Sequence, residues 1–188
     1  PVVLDPVAVG GTQLRRDAAK RLLKEVHFTA IRGNASEIRY LAGQQTTGAG
    51  VDVSDLDAIT EENLPEAEEM IKNLAKSLGT VIAVSGVIDL VSDGERTMVL
   101  RNGCATMSRI TGSGCMLTSM IGAFAGAAED PFTATCAAMA AMGIAGEIAE
   151  KKRIKNGTGN ATFRTDLIDA VFNLTEEELT KGARYEIF

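Results

Sequence analysis

The chain has 188 residues, 45% hydrophobic and 23% charged, which is the composition of a globular domain large enough to bury its own core. Nineteen Lys and Arg stand against 25 Asp and Glu, for a net charge of −6. That balance argues against a general nucleic-acid binder or a polybasic membrane binder, and the scarcity of aromatics (4%, no Trp) argues against base-stacking platforms. A phosphate ligand is still allowed, because a few backbone N–H groups and one Arg can hold it. Cys104, Cys115 and Cys136 show no C-x-x-C spacing, so neither a disulfide framework nor a zinc knuckle is expected, and a reducing compartment fits. The chain opens on Pro1 without a basic leader or a lead-in, so a start inside a longer fold is expected.

Val2 to Leu4 reads as a buried strand stopped by Asp5-Pro6. Thr12 and the segment Asp17 to Val26 read as a helix, with Leu14, Ala18, Leu22 and Val26 on one face. Phe28 to Ile31 reads as a second strand, turned by Arg32-Gly33-Asn34 into a short helix, Ser36 to Leu41. Ala42 to Asp57 reads as a surface loop, and Leu56 to Leu78 as a helix stopped by Gly79. Thr80 to Val84 is a third strand. Val87 to Val91 and Arg96 to Leu100 flank Ser92-Asp93-Gly94-Glu95, a hairpin signal.

Residues 110–128 carry no charge over 19 positions, but only 11 of these are hydrophobic and the stretch opens Thr111-Gly112-Ser113-Gly114. This suits a helix after a Gly-rich loop better than a bilayer span. Cys115 to Ala128 and Phe132 to Ala149 read as two buried Ala/Met-rich helices, with Lys151 to Asn160 as a loop. Thr162 to Leu174 and Glu176 to Gly182 form a last helix pair, and the tail is expected to be loose. Strands alternating with helices predict one α/β domain over residues 1–188, built on a mostly parallel sheet.

Four places could carry chemistry. In Thr111-Gly112-Ser113-Gly114-Cys115, two glycines let successive N–H groups point one way at the start of a helix, making an anion nest in which a Cys gains thiolate character. The bland alternative is a Gly-rich turn with a packing Cys. Arg32-Gly33-Asn34-Ala35-Ser36-Glu37 follows a strand, where open α/β sheets bind ligands. Arg can grip phosphate oxygens, and Glu with Asn can hold Mg²⁺ directly or through water. A capping box of Asn34 and Glu37 accounts for those two residues equally well, though not for Arg32-Gly33. Asp5 and Ser85-Gly86 each follow a strand too. His27 has no second ligand spaced for a metal, and the Met residues read as core filler.

Leu4-Asp5-Pro6-Val7, Ile31 to Ile38, Val84-Ser85-Gly86, Asp93-Gly94, Thr111 to Cys115, Ala145-Gly146-Glu147 and Phe163 to Asp169 occur in that order. Together they resemble the hydroxyethylthiazole kinases of thiamine salvage, in the ribokinase-like superfamily. The match corresponds to the C-terminal two-thirds of such a kinase, with the N-terminal strands and part of the thiazole pocket missing. The resemblance implies Mg²⁺- and ATP-dependent phosphorylation of the primary alcohol of 4-methyl-5-(2-hydroxyethyl)thiazole, in a cytoplasmic homotrimer with sites at subunit interfaces. It places ATP phosphates on Arg32 and Ser85, the latter standing where the family usually has Thr. It places Mg²⁺ on Glu37 with Asp5, the thiazole at Gly112, and the anion hole on Gly112, Ser113 and Gly114 up to Cys115. Cys115 takes the position of the sugar kinases' Asp base. The competing readings are a hydroxymethylpyrimidine or pyridoxal kinase, a nucleotide-binding fragment without turnover, a piece of a fusion with thiamine phosphate synthase, and a Cys-nucleophile hydrolase. The R-G-N-x-S-E-I block opposes the first, and the single His opposes the last.

Overall fold

A six-stranded sheet in the order β1-β2-β3-β4-β5-β6 organises the computed structural model, which describes residues 1–44 and 58–188. The strands are β1 (Val3–Leu4), β2 (Ala30–Asn34), β3 (Val81–Ser85), β4 (Asp89–Ser92), β5 (Thr97–Leu100) and β6 (Tyr185–Ile187). The helices are α1 (Gln13–Glu25), α2 (Ala35–Leu41), α3 (Leu64–Leu78), α4 (Ser113–Ala127), α5 (Pro131–Asn156), α6 (Asn160–Asn173) and α7 (Glu176–Gly182). The loop read over Ala42 to Asp57 lies mostly outside the described residues.

The period-two alternation of the strands sorts their side chains onto two faces. Ala30, Val81, Ala83, Val91, Met98 and Leu100 pack on one side with α4, α5 and α6. Ile31, Ile82, Val84, Leu90 and Val99 pack on the other with α2 and α3. Both faces are covered, so these strands read as continuous apolar runs. Each fully buried Ile or Leu among them contributes about 1.5–3 kcal/mol over its exposed state.

The sheet is mixed rather than mostly parallel. β1 pairs with β2, and β2 with β3, in parallel. β3 to β5 form an antiparallel meander, and β6 returns after α4 to α7 to pair antiparallel with β5. The hairpin signal at Ser92 to Glu95 is borne out, and β3, β4 and β5 follow one another through tight turns without helices between them. The tail is not loose: β6 docks on β5, and Arg184 ties it to α5 by ion-pairing with Glu147 at 2.7 Å.

Several boundaries differ from expectation. Arg32-Gly33-Asn34 is strand rather than turn, because β2 runs straight into α2 with Asn34 as the N-cap. α3 starts at Leu64 rather than Leu56, with Pro65 in its first turn, where a missing N–H costs nothing. α5 continues through Lys151 and Arg153 to Asn156 and ends at Gly157 with φ 62°. A charged stretch there reads like a loop, yet Arg153 and Glu150 pair along the helix at 2.7 Å. α4 is less buried than its composition suggests, with only Leu117 and Ile121 buried. α5, at 26 residues, is long and apolar enough to cross a membrane, but 78% of its apolar window is packed inside the fold.

Candidate active site

The carboxyl ends of β1, β2 and β3 and the N-terminus of α4 meet at one point. Asp5 follows β1, Arg32 lies on β2 and Ser85 ends β3. The Arg32 guanidinium donates from Nη1 to Asp5 Oδ2 at 3.2 Å and from Nη2 to Ser85 Oγ. Its Nε is buried without a partner. Asp5 Oδ2 also accepts from Thr118 Oγ1, one turn into α4, at 2.8 Å. Arg32 therefore sits half-buried between the strand ends and the helix, with its charge partly balanced by one carboxylate.

Gly114 explains how the guanidinium reaches this place. A Cβ built there would lie 2.7 Å from Arg32 Nη1 and 3.3 Å from Nη2. The glycine is a packing requirement of the Arg as well as a loop residue. Gly112 holds φ 97°, the left-handed region that favours glycine, and turns the chain into α4. No side chain caps this helix, and its first backbone bond is Met116 N–H to Gly112 O. The leading N–H groups of Ser113, Gly114 and Cys115 are the orphan donors that every helix start presents. Cys115 is exposed.

Glu37 is buried at the start of α2. Its Oε2 accepts the Asn34 N–H at 2.8 Å, and Asn34 Oδ1 accepts the Glu37 N–H at 2.8 Å. This is the capping box. Its Oε1 accepts the Ala8 N–H at 2.7 Å, which ties the loop after β1 to α2. Ala8 needs that tie, since it holds φ 50° without being glycine. Gly33 leaves room for this carboxylate: a Cβ there would lie 3.2 Å from Glu37 Oε2 and 3.1 Å from Ile38 Cδ1. Burial raises the Glu37 carboxyl above its ordinary range, and Asp5 adds to the rise. The two backbone N–H groups and Arg32 oppose it. Glu37 is thus a structural bridge whether or not it also faces a cation.

Two residues of this region carried no sequence signal. Thr118 lies in an apolar helix and meets Asp5 only in the fold. Asp89 opens β4 with an exposure of 8%, and its Oδ1 accepts the Gly86 N–H at 2.8 Å. Burial raises its carboxyl to about 7, against the pull of the Gly86 N–H and the Arg32 charge. An unfolded Asp titrates near 3.9, so between about pH 4 and 7 the folded chain holds a proton that the unfolded chain has released. Stability therefore falls as pH rises through that window, and Glu37 acts in the same direction. Asp89→Asn is expected to be more stable than the parent at pH 8 and to show a smaller drop in Tm between pH 5 and pH 8. An unchanged drop assigns the titration to other groups.

Two open concavities lie elsewhere, around His27, Phe28 and Thr80, at the opposite ends of β2 and β3. Neither is lined by Asp5, Arg32, Glu37, Ser85, Asp89 or the start of α4.

The mixed sheet flanked by helices on both faces, with these residues gathered at its strand ends, is a ribokinase-like fold. The pyridoxal kinase of Staphylococcus aureus bound to AMP-PCP shares that fold, with a TM-score of 0.53 over 78% of this chain and 52% of its own, at 18% identity. Residues 1–177 match the profile of the hydroxyethylthiazole kinase family, and the chain belongs to that family. The hydroxyethylthiazole kinase of Clostridium acetobutylicum is 45% identical over 100% of this chain and 69% of its own length. Hydroxyethylthiazole kinase 2 of Methanosphaera stadtmanae is 42% identical over 100% of this chain and 68% of its own. The solved hydroxyethylthiazole kinase of Pyrococcus horikoshii superposes with a TM-score of 0.81 at 31% identity, covering 100% of this chain and 65% of that one. The chain thus spans about two thirds of the length of the relatives it matches.

Proposed function

We propose that the chain forms the nucleotide and phosphoryl-transfer part of a kinase that moves the γ-phosphoryl of ATP to the primary hydroxyl of 4-methyl-5-(2-hydroxyethyl)thiazole. The observation that carries this reading is the placing of Arg32 against Asp5, Ser85 and Gly114, beside the free N–H groups at the start of α4. Phosphoryl transfer needs little covalent help from a protein. It needs positioning and charge neutralisation around a loose transition state.

In this reading Arg32 and Ser85 hold ATP phosphates. The N–H groups of Ser113, Gly114 and Cys115 face the transferred group, aided by the positive end of α4. Gly112 contacts the thiazole, and Cys115 stands beside the attacking hydroxyl and takes its proton. Asp5 and Glu37 suit Mg²⁺ as hard oxygen donors close enough to influence one another. Among the described residues no three His, Cys, Asp or Glu side chains cluster, and both Glu37 oxygens already accept an N–H. That fits an ion held mainly by phosphates and water, with the carboxylates in support. When bound, Mg²⁺ neutralises phosphate charge. Cys115 is exposed in the single chain, and the homotrimer with sites at subunit interfaces rests on the family resemblance alone.

The test is ATP-dependent phosphorylation of the thiazole alcohol by the purified protein, beside hydroxymethylpyrimidine and pyridoxal. Transfer to either of these and not to the thiazole overturns the assignment. Arg32→Ala is expected to lower turnover roughly ten- to a hundredfold, since a charge-assisted contact is worth about 1.5–3 kcal/mol. Glu37→Gln is expected to lower turnover and stability together. Its amide group can accept only one of the two backbone N–H groups, and an unmet buried donor costs about 1–3 kcal/mol. Wild-type kinetics in both variants would reduce the segment to its capping role.

A further inference from the structure

We propose that Asp89 is a positioning residue for the nucleotide end of the site, holding the Gly86 N–H so that the corner after β3 presents the Ser85 hydroxyl to Arg32 and to phosphate. The inference rests on the kinase reading above and deepens it. β3 and β4 are joined by three residues, Gly86, Val87 and Ile88, and pair in antiparallel register up to Val84 and Leu90. Ser85 and Asp89 are the next pair outward, at the mouth of the hairpin. Val87, at the tip, is 83% exposed, while Ile88 anchors the far side of the loop in the core at 5% exposure. The bond from Gly86 N–H to Asp89 Oδ1 at 2.8 Å restrains the near side, next to Ser85.

A carboxylate buried to 8% exposure is costly to keep unless it does something that an apolar residue at a strand start could not. The register places it beside Ser85, and its charge reaches Arg32. Ser85 in turn accepts from Arg32 Nη2. A loop that loses its acceptor can rotate the Gly86 peptide, and the hydroxyl one residue before it then leaves the guanidinium. What the corner requires of residue 89 is an acceptor oxygen. Asparagine supplies one without charge, whereas alanine and valine supply none.

The experiment is equilibrium binding of MgAMP-PNP to the folded protein, with melting curves for each variant and KM for both substrates where turnover is measurable. Asp89→Ala is expected to weaken nucleotide binding by about tenfold, the worth of one well-placed hydrogen bond to a charged group, with the KM for the alcohol unchanged. Asp89→Asn should bind within a factor of about two of the parent. Asp89→Val, which fills the space and keeps strand propensity, serves if the alanine variant does not fold, and should match it in binding. Parent-like binding by Asp89→Ala or Asp89→Val overturns the proposal. So does equal weakening in Asp89→Asn, which would make charge rather than the hydrogen bond the agent, and so does a matching rise in KM for both substrates. A parent protein that binds the nucleotide analogue but phosphorylates no thiazole alcohol sinks the substrate assignment alone, because the ratios of binding constants still decide the role of Asp89. A parent that binds no nucleotide overturns both.

Discussion

Gly114→Ala is expected to lower turnover by roughly 10²–10³-fold, the scale of losing one preorganised donor to a developing charge, without lowering the melting temperature. The added methyl would lie 2.7 Å from Arg32 Nη1, so the guanidinium has to shift from its place between Asp5 and Ser85. The same methyl narrows the approach to the leading N–H groups of α4. Stability should not follow activity down. Alanine is worth up to about 1 kcal/mol more than glycine in a helix, and this offsets the displaced contact. The mechanism can be isolated with a cycle. If the methyl acts through Arg32, Gly114→Ala is nearly silent in an Arg32→Ala background, because the two changes share one target. Full additivity would assign the loss to the helix start itself. A parent-like kcat in Gly114→Ala would remove Arg32 from the reaction as described.

Cys115 gives the second large effect. General-base assistance is typically worth ~10²–10⁴-fold, but in a loose transition state the nucleophile's proton leaves late, so the lower end applies. Cys115→Ala is expected to lower kcat by roughly a hundredfold. Cys115→Ser should lose much activity without abolishing it. Cys115→Asp should be tolerated, since a carboxylate is a competent base at the same helix position. Cys115 is exposed on α4, so these changes leave the core untouched and kcat can be compared directly once melting curves agree. An inactive Cys115→Asp beside a fully active Cys115→Ala would make Cys115 a bystander and place the base elsewhere.

What the sequence disclosed was local. The Gly-x-Gly-Cys turn and the Arg-Gly-Asn block announce themselves because each needs particular residue types a few positions apart. Of the readings of Asn34 and Glu37, the capping box is present, and a Cβ at position 33 would crowd the Glu37 carboxylate. Thr118 carries no signal because its partner, Asp5, is 113 residues away, and Asp89 carries none because its burial and its nearness to Arg32 come from the fold, although Gly86 lies only three residues before it. The same holds for the tail, whose strand has an exposed, unremarkable pattern and becomes ordered only by pairing with β5. The end of α5 is not legible in composition, because a charged loop and a helix laced with ion pairs have the same residues. The sheet is less parallel than the alternation of strands and helices suggests, because that alternation stops at β3 and the next two strands follow through tight turns.

The division of the sheet also bears on the order in which the site assembles. β3 and β4 close a loop of three residues, while β1 and β2 are joined through 25 residues, 5–29. On loop-closure entropy the longer connection costs about 2 kcal/mol more before any contact repays it. The meander should therefore gain protection first in pulse-labelled hydrogen exchange, with amides of Leu90 and Val99 slowed before those of Ile31. Ser85 belongs to the early part and Arg32 and Asp5 to the late part, so the guanidinium contact is a closing step of folding. Substitutions at Arg32 would then speed unfolding and leave the refolding rate almost unchanged.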